Sequence, residues 1–169
     1  TVMASPLAEP VEFPDDASPV ERAQSSSLIK AKSVAGLAGD GWVLAADTIA
    51  ALGGRVFGKP ADRDDARRIL QSLSGTTHQV ITGVTLLDAS SGVRLIRHDS
   101  TNVIMRRLTD SEIEDYLDSG AWEGKAGAYG IQDQGDAFVE RIEGSFTNVV
   151  GLPMELVARM LDEFARNIP

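Results

Sequence analysis

A short run of small apolar residues that arrives at a carboxylate, Trp42-Val43-Leu44-Ala45-Ala46-Asp47-Thr48, constrains this chain more than any other stretch. Gly39-Asp40-Gly41 bounds it in front, and its brevity reads as buried strand rather than helix. A carboxylate at the end of such a strand is costly to bury. Either neighbouring groups satisfy Asp47 or it faces a cleft. The strand is expected to run on through Thr48-Ile49-Ala50-Ala51-Leu52, turn at Gly53-Gly54 and return along Arg55-Val56-Phe57. Lys59 follows between Gly58 and Pro60, on a constrained backbone. An acid and a base on the two arms of one hairpin suggest a site for a phosphate and a metal.

The 169 residues suffice for one domain with a real core, and the reading is a single domain over 1–169. The net charge of -9 argues against binding a nucleic-acid polymer, although a local basic pocket could still take a small anion. The absence of cysteine excludes disulfides, zinc-thiolate sites and a cysteine nucleophile. No apolar run approaches a membrane span and no signal peptide is evident, so a cytoplasmic address is expected.

Residues 1–17 read as a strand end at Val2-Met3-Ala4 and then an acidic loop carrying Glu9, Glu12, Asp15 and Asp16. Ser18-Pro19-Val20-Glu21 is a capping box with proline at the first helical position. The helix is expected to stop near Gly36, with Val20, Ala23, Ser27, Ala31, Val34 and Ala35 buried. Lys30 and Lys32 then lie near its C-terminal end, where cations suit the dipole. A second helix is capped by Asp62 and ended by Gly75, with Ala66, Ile69, Leu70 and Leu73 inside. Strands are expected over His78 to Leu87 and Val93 to Met105. A capping box at Thr109-Asp110-Ser111-Glu112 opens a short helix that ends at Gly120. A glycine-rich loop from Gly124 to Gly135, a strand over Phe138 to Ile142 and a last helix over Met154 to Ala165 complete the chain. Strands and helices alternate first and hairpins intervene later, which predicts an α/β fold: a mixed twisted sheet flanked by helices, not a doubly wound one.

Several residues admit two readings. Asp47 is a metal ligand or water-activating base, or else a strand residue bonded to a nearby turn. Lys59 is a phosphate-binding point charge, or a surface-loop lysine. Tyr129 and Gln132, in Gly124-Lys125-Ala126-Gly127-Ala128-Tyr129-Gly130-Ile131-Gln132, could stack on and hydrogen-bond a nucleobase, or serve ordinary loop packing. His78 and His98 each read as structural histidines.

Five blocks in order carry a specific resemblance: Ala-Ala-Asp-Thr at 45–48, Gly-Lys-Pro-Ala-Asp at 58–62, Leu-Ser-Gly-x-Thr-His at 73–78, Lys-Ala-Gly-Ala-Tyr-Gly-Ile-Gln at 125–132 and Phe-Val-Glu-Arg-Ile-Glu-Gly-Ser-Phe-Thr-Asn-Val-Val-Gly-Leu-Pro at 138–153. Together they resemble the Maf family of nucleoside triphosphate pyrophosphatases, in particular its dTTP/UTP subgroup. The resemblance implies a fold similar to the inosine triphosphate pyrophosphatases, with two lobes around a cleft. It implies hydrolysis of a nucleoside triphosphate to the monophosphate and pyrophosphate, assisted by Mg²⁺ or Mn²⁺. By that resemblance Asp47 is the water-activating acid and a metal ligand with Glu9. Lys59 and Lys30 face the phosphates, and Thr48 and Gln132 match the family's specificity positions. A homodimer is the implied assembly. The family's N-terminal strand and Ser-x-Ser-Pro-Arg-Arg segment have no counterpart here, where Ala4-Ser5-Pro6 is followed by no arginine. Either this sequence lacks that segment of a longer chain, or the phosphate grip is reduced, which favours the alternative of a nucleotide-binding or division-related regulatory homologue that does not hydrolyse.

Overall fold

The computed structural model describes residues 1–6, 13–132 and 137–167. The elements run α1 (Pro19–Ala38), β1 (Trp42–Leu52), β2 (Arg55–Phe57), α2 (Arg63–Leu73), β3 (Thr77–Asp88), β4 (Arg94–Met105), α3 (Asp110–Asp118), a 3-10 turn (Ala126–Ala128), β5 (Val139–Glu143), α4 (Phe146–Val150) and α5 (Met154–Asn167). The α/β class follows as expected. The strands form one sheet in the order β2-β1-β3-β4-β5, and each of its four pairings is antiparallel.

The side chains of β1 and β3 alternate between the two sheet faces, as any strand's must. Ile49, Ala51 and Ile81 pack with Ala23 of α1, and Val43 and Leu87 with Ala31 and Val34. On the other face Val84 and Leu86 meet Leu156, Val157, Met160 and Phe164 of α5. A larger cluster joins Ala50 and Val80 to α2, α3 and the loop residues Ala128, Tyr129 and Ile131.

Helix α1 lies unusually close to the sheet at one point. A methyl group at Gly83 would meet the Ala23 carbonyl oxygen at 2.2 Å. Gly83 is the register partner of Asp47, so the close approach falls beside the carboxylate. Buried Ser27 and Thr85 continue the seam through a hydroxyl pair at 2.8 Å.

Both capping boxes form, at Ser18–Glu21 and Thr109–Glu112. Helix α1, however, passes Gly36 and ends at Gly39, whose φ of 66° suits a residue without a Cβ. Gly36 carries no such angle, and a helix interior tolerates one glycine at about 1 kcal/mol. Lys30 therefore lies in the body of α1, and the last turn holds no basic residue. Asp47 is likewise in the body of β1, not at its end. Among the described residues 1–6 there is no strand. Residues 146–150 form a helical turn of their own capped by Ser145. No helix among the described residues is long and apolar enough to cross a membrane.

Candidate functional site

The pairing of β1 with β2 covers only Ala50, Ala51 and Leu52. Beside the preceding part of β1 lies a cleft of about 250 Å³. Asp47 and Thr48 are consecutive strand residues and point to opposite faces, yet both line it. The cleft therefore wraps around this stretch of β1. Lys30 of α1, Lys59 after β2, and Lys125 and Gln132 of the glycine-rich loop complete its polar lining, while Ala46, Ala50, Val80 and Val149 give it an apolar floor.

The acid is paired. Lys30 Nζ donates to Asp47 Oδ1 at 2.6 Å, and the two side chains are 23% and 16% exposed. Small residues on α1 make this reach feasible, because Ala23, Ser27 and Ala31 are each fully buried against the sheet. Bulkier side chains there would lift the helix and its lysine away.

Thr48 is held by two groups. Its hydroxyl donates to Thr82 Oγ1 at 2.8 Å and lies 3.4 Å from the Gly151 carbonyl oxygen. Thr82 in turn donates to the Asn148 carbonyl at 3.2 Å. Asn148, wholly buried, donates through Nδ2 to the Val80 carbonyl and to Thr101 Oγ1, both at 3.0 Å. Its Oδ1 has no partner among the described residues. This polar chain ties the α4 turn to the sheet and sets Val149, Val150 and Gly151 at the cleft wall.

The loop wall is anchored from beneath. Tyr129 is 5% exposed, and its hydroxyl lies 2.7 Å from Nε2 of His78, itself 1% exposed. The two rings meet edge to face with centroids 5.6 Å apart, inside the roughly 4.5–7 Å range of such pairs. Burial pushes the His78 imidazole down to about 4 and raises the Tyr129 phenol, so both stay neutral. Tyr129 is thus anchored beneath the loop while it still contributes to the lining of the cleft. His78 is structural as expected. His98 is instead exposed on β4, with Nδ1 3.4 Å from Gln24 Nε2.

The structure thus brings Asp47, Lys30, Lys59, Thr48, Gln132 and Tyr129 to one cleft. Glu9 lies outside the described residues. Among the described residues no three histidine, aspartate or glutamate side chains gather as a metal site. Sequence reasoning assigned no role to Lys125, yet the Gly-Lys step at 58–59 recurs at 124–125, and that repetition was a readable signal. Gly83 and Asn148 carried no comparable signal, because both act through neighbours distant in sequence.

Three ammonium groups and one carboxylate thus line a single cleft of an α/β protein whose net charge is -9. The sequence model of the Maf family, described as Maf-like protein, matches residues 1–164, and the chain belongs to that family. Among its relatives, the dTTP/UTP pyrophosphatase of Pelotomaculum thermopropionicum is 43% identical over 92% of this chain and 81% of its own length. The dTTP/UTP pyrophosphatase of Ruminiclostridium cellulolyticum is 41% identical over 89% of this chain and 78% of its own length. That of Bdellovibrio bacteriovorus is 52% identical over 72% of this chain and 64% of its own length.

Proposed function

We propose that this chain hydrolyses a pyrimidine nucleoside triphosphate, dTTP or UTP, to the monophosphate and pyrophosphate. The observation that carries the reading is the convergence of Lys30, Lys59 and Lys125 on the cleft that also holds Asp47. The similarity to dTTP/UTP pyrophosphatases supports the choice of substrate. Phosphoryl transfer asks a protein mainly for positioning and charge neutralisation. Lys59 and Lys30 supply positive charge where negative charge spreads over the phosphate oxygens. Asp47 accepts a hydrogen bond from the attacking water and takes its proton as the bond to phosphorus forms. Lys30 keeps that carboxylate aimed. Thr48 and Gln132 meet the nucleoside.

A divalent cation fits this donor set. Mg²⁺ commonly binds through one or two carboxylates plus substrate phosphate oxygens, so Asp47 alone is a sufficient protein anchor, with Glu9 as a second. Such an ion, Mg²⁺ or Mn²⁺, would offset triphosphate charge when bound. A homodimer and a cytoplasmic address belong to the same reading.

The test is pyrophosphate release across the common nucleoside triphosphates by the wild-type protein and Asp47→Asn. The expected result is turnover greatest with dTTP and UTP and a loss of 100-fold or more, on the order expected for a general base, in the variant. Equal turnover by the two proteins would remove Asp47 from the chemistry. Nucleotide binding without pyrophosphate release would replace hydrolysis by the regulatory reading.

A further inference from the structure

Lys125 sits on a backbone fixed at both of its polar groups. Its N–H donates to the Trp122 carbonyl at 3.3 Å, and its own carbonyl accepts from Ala128 N–H at 3.0 Å. The same loop is tied to the segment that carries Lys59, because Gly127 N–H donates to the Gly58 carbonyl at 3.1 Å. Gly127 has a φ of 74°, which favours glycine, and a methyl group there would press on Ala50 at 3.1 Å.

The side chain of Lys125 is also placed. It lies along Gly130: a methyl group at Gly130 would meet Cδ at 2.9 Å and both Cε and Nζ at 3.0 Å. These are the nearest atoms to that position, so the glycine leaves a slot filled by the lysine tail. Laying a long flexible stem in one slot gives up rotamer freedom. It also adds a third ammonium group to a cleft that already holds two. Ammonium groups that line one cleft suit a ligand carrying several negative charges.

We infer that Lys125 is a further substrate-binding residue, a phosphate-contacting cation held in place by the slot at Gly130. The inference rests on the proposed triphosphate reading and adds to it a third cation and the glycine that positions it. Its link to Gly58 through Gly127 makes the two Gly-Lys segments one cationic wall.

The test combines Lys125→Gln, Lys125→Arg, Gly130→Ala and the double variant Lys125→Gln/Gly130→Ala, with steady-state KM for dTTP and UTP and calorimetric binding of inorganic pyrophosphate. Loss of one charge-assisted phosphate contact is expected to raise KM and weaken pyrophosphate binding on the order of tenfold in Lys125→Gln. Lys125→Arg should retain most of the affinity. Gly130→Ala should push the lysine tail aside and weaken both readouts in the native background, but add nothing when Lys125 is already glutamine. Folding is checked by circular dichroism; should Lys125→Gln unfold, Gly130→Ala and Lys125→Arg carry the test. Unchanged KM and unchanged pyrophosphate affinity in Lys125→Gln overturn the inference, as does an equal effect of Gly130→Ala in both backgrounds. A wild-type protein that releases no pyrophosphate overturns the proposed function instead, and pyrophosphate binding by the variants still decides the role of Lys125.

Discussion

Lys30 reaches Asp47 from the body of α1 to the body of β1, with Nζ 2.6 Å from Oδ1. The two residues are seventeen apart in sequence. Their meeting depends on how closely the helix lies on the sheet, and not on the hairpin that joins β1 to β2.

Lys30→Met should leave Asp47 without its cation in a partly buried place. Removing one partner of a fully buried pair costs 3–5 kcal/mol, and the partial exposure here brings the expectation down to about 2 kcal/mol. Urea denaturation measures it. If Lys30 also aims the base, kcat/KM for nucleotide hydrolysis falls on the order of 100-fold; a variant with undiminished kcat/KM would restrict Lys30 to a structural role.

Gly83→Ala places a methyl group 2.2 Å from the Ala23 carbonyl oxygen. That contact involves backbone, so the helix must move. Overpacking of this kind costs about 1–3 kcal/mol. Because Gly83 pairs with Asp47, the displacement should also loosen the Lys30–Asp47 contact and lower kcat. A thermal melt and a turnover assay on the same preparation check the two effects together. Wild-type values for both would refute the close-approach argument.

The buried His78 should make stability depend on pH. Its imidazole is held down to about 4, against an ordinary value of 6.5, by burial. Below pH 6.5 the unfolded chain binds a proton that the folded chain refuses until about pH 4. The His78 contribution is therefore fully present above pH 6.5, is lost progressively as pH falls towards 4, and changes no further below that. The loss amounts to about 3 kcal/mol. Glu112 and Glu114, held down to about 2 by Arg106 and Arg67 respectively, lose their contribution at lower pH, between their ordinary carboxylate range and 2. Denaturant midpoints between pH 5 and 7 isolate the histidine. His78→Gln should flatten the profile there, and an unchanged slope would assign it to other groups.

Asn148→Ala removes a side chain bonded to the Val80 carbonyl and to Thr101, both buried. Thr101 keeps its two hydrogen bonds to Ser145, so the expected cost is that of two lost hydrogen bonds, about 0.5–1.5 kcal/mol each. The α4 turn should then detach from the sheet, and Gly151 should lose its place beside Thr48. Hydrogen exchange over residues 145–152 is expected to quicken while exchange in α1 stays slow. Uniform protection in both regions would mean that the turn is held by other contacts.

Much of the fold was written locally. The two capping boxes, the Gly53-Gly54 turn and the Asp62 cap are satisfied within a few residues, so pattern alone located them. Gly36 misled because a glycine inside a helix and a glycine ending one look alike in sequence; only the backbone angle at Gly39 separates them. Tyr129 was open to two readings for a related reason. An aromatic residue in a glycine-rich loop can face a ligand or the core, and the partner that decides, His78, lies 51 residues away.

The sequence by itself determined the chemical inventory of the site: one acid on a strand, lysines after glycines, and an amide in a glycine-rich loop. It also determined family membership, since five ordered blocks suffice for that. Only the tertiary structure decided that Asp47 is paired to Lys30, that Tyr129 is a buried support, and that Lys125 lies over Gly130 in the same cleft. These contacts come from the spacing between helix, sheet and loop. That spacing is set by small residues such as Ala23 and Gly83, which have no charge or polar group to announce what they do.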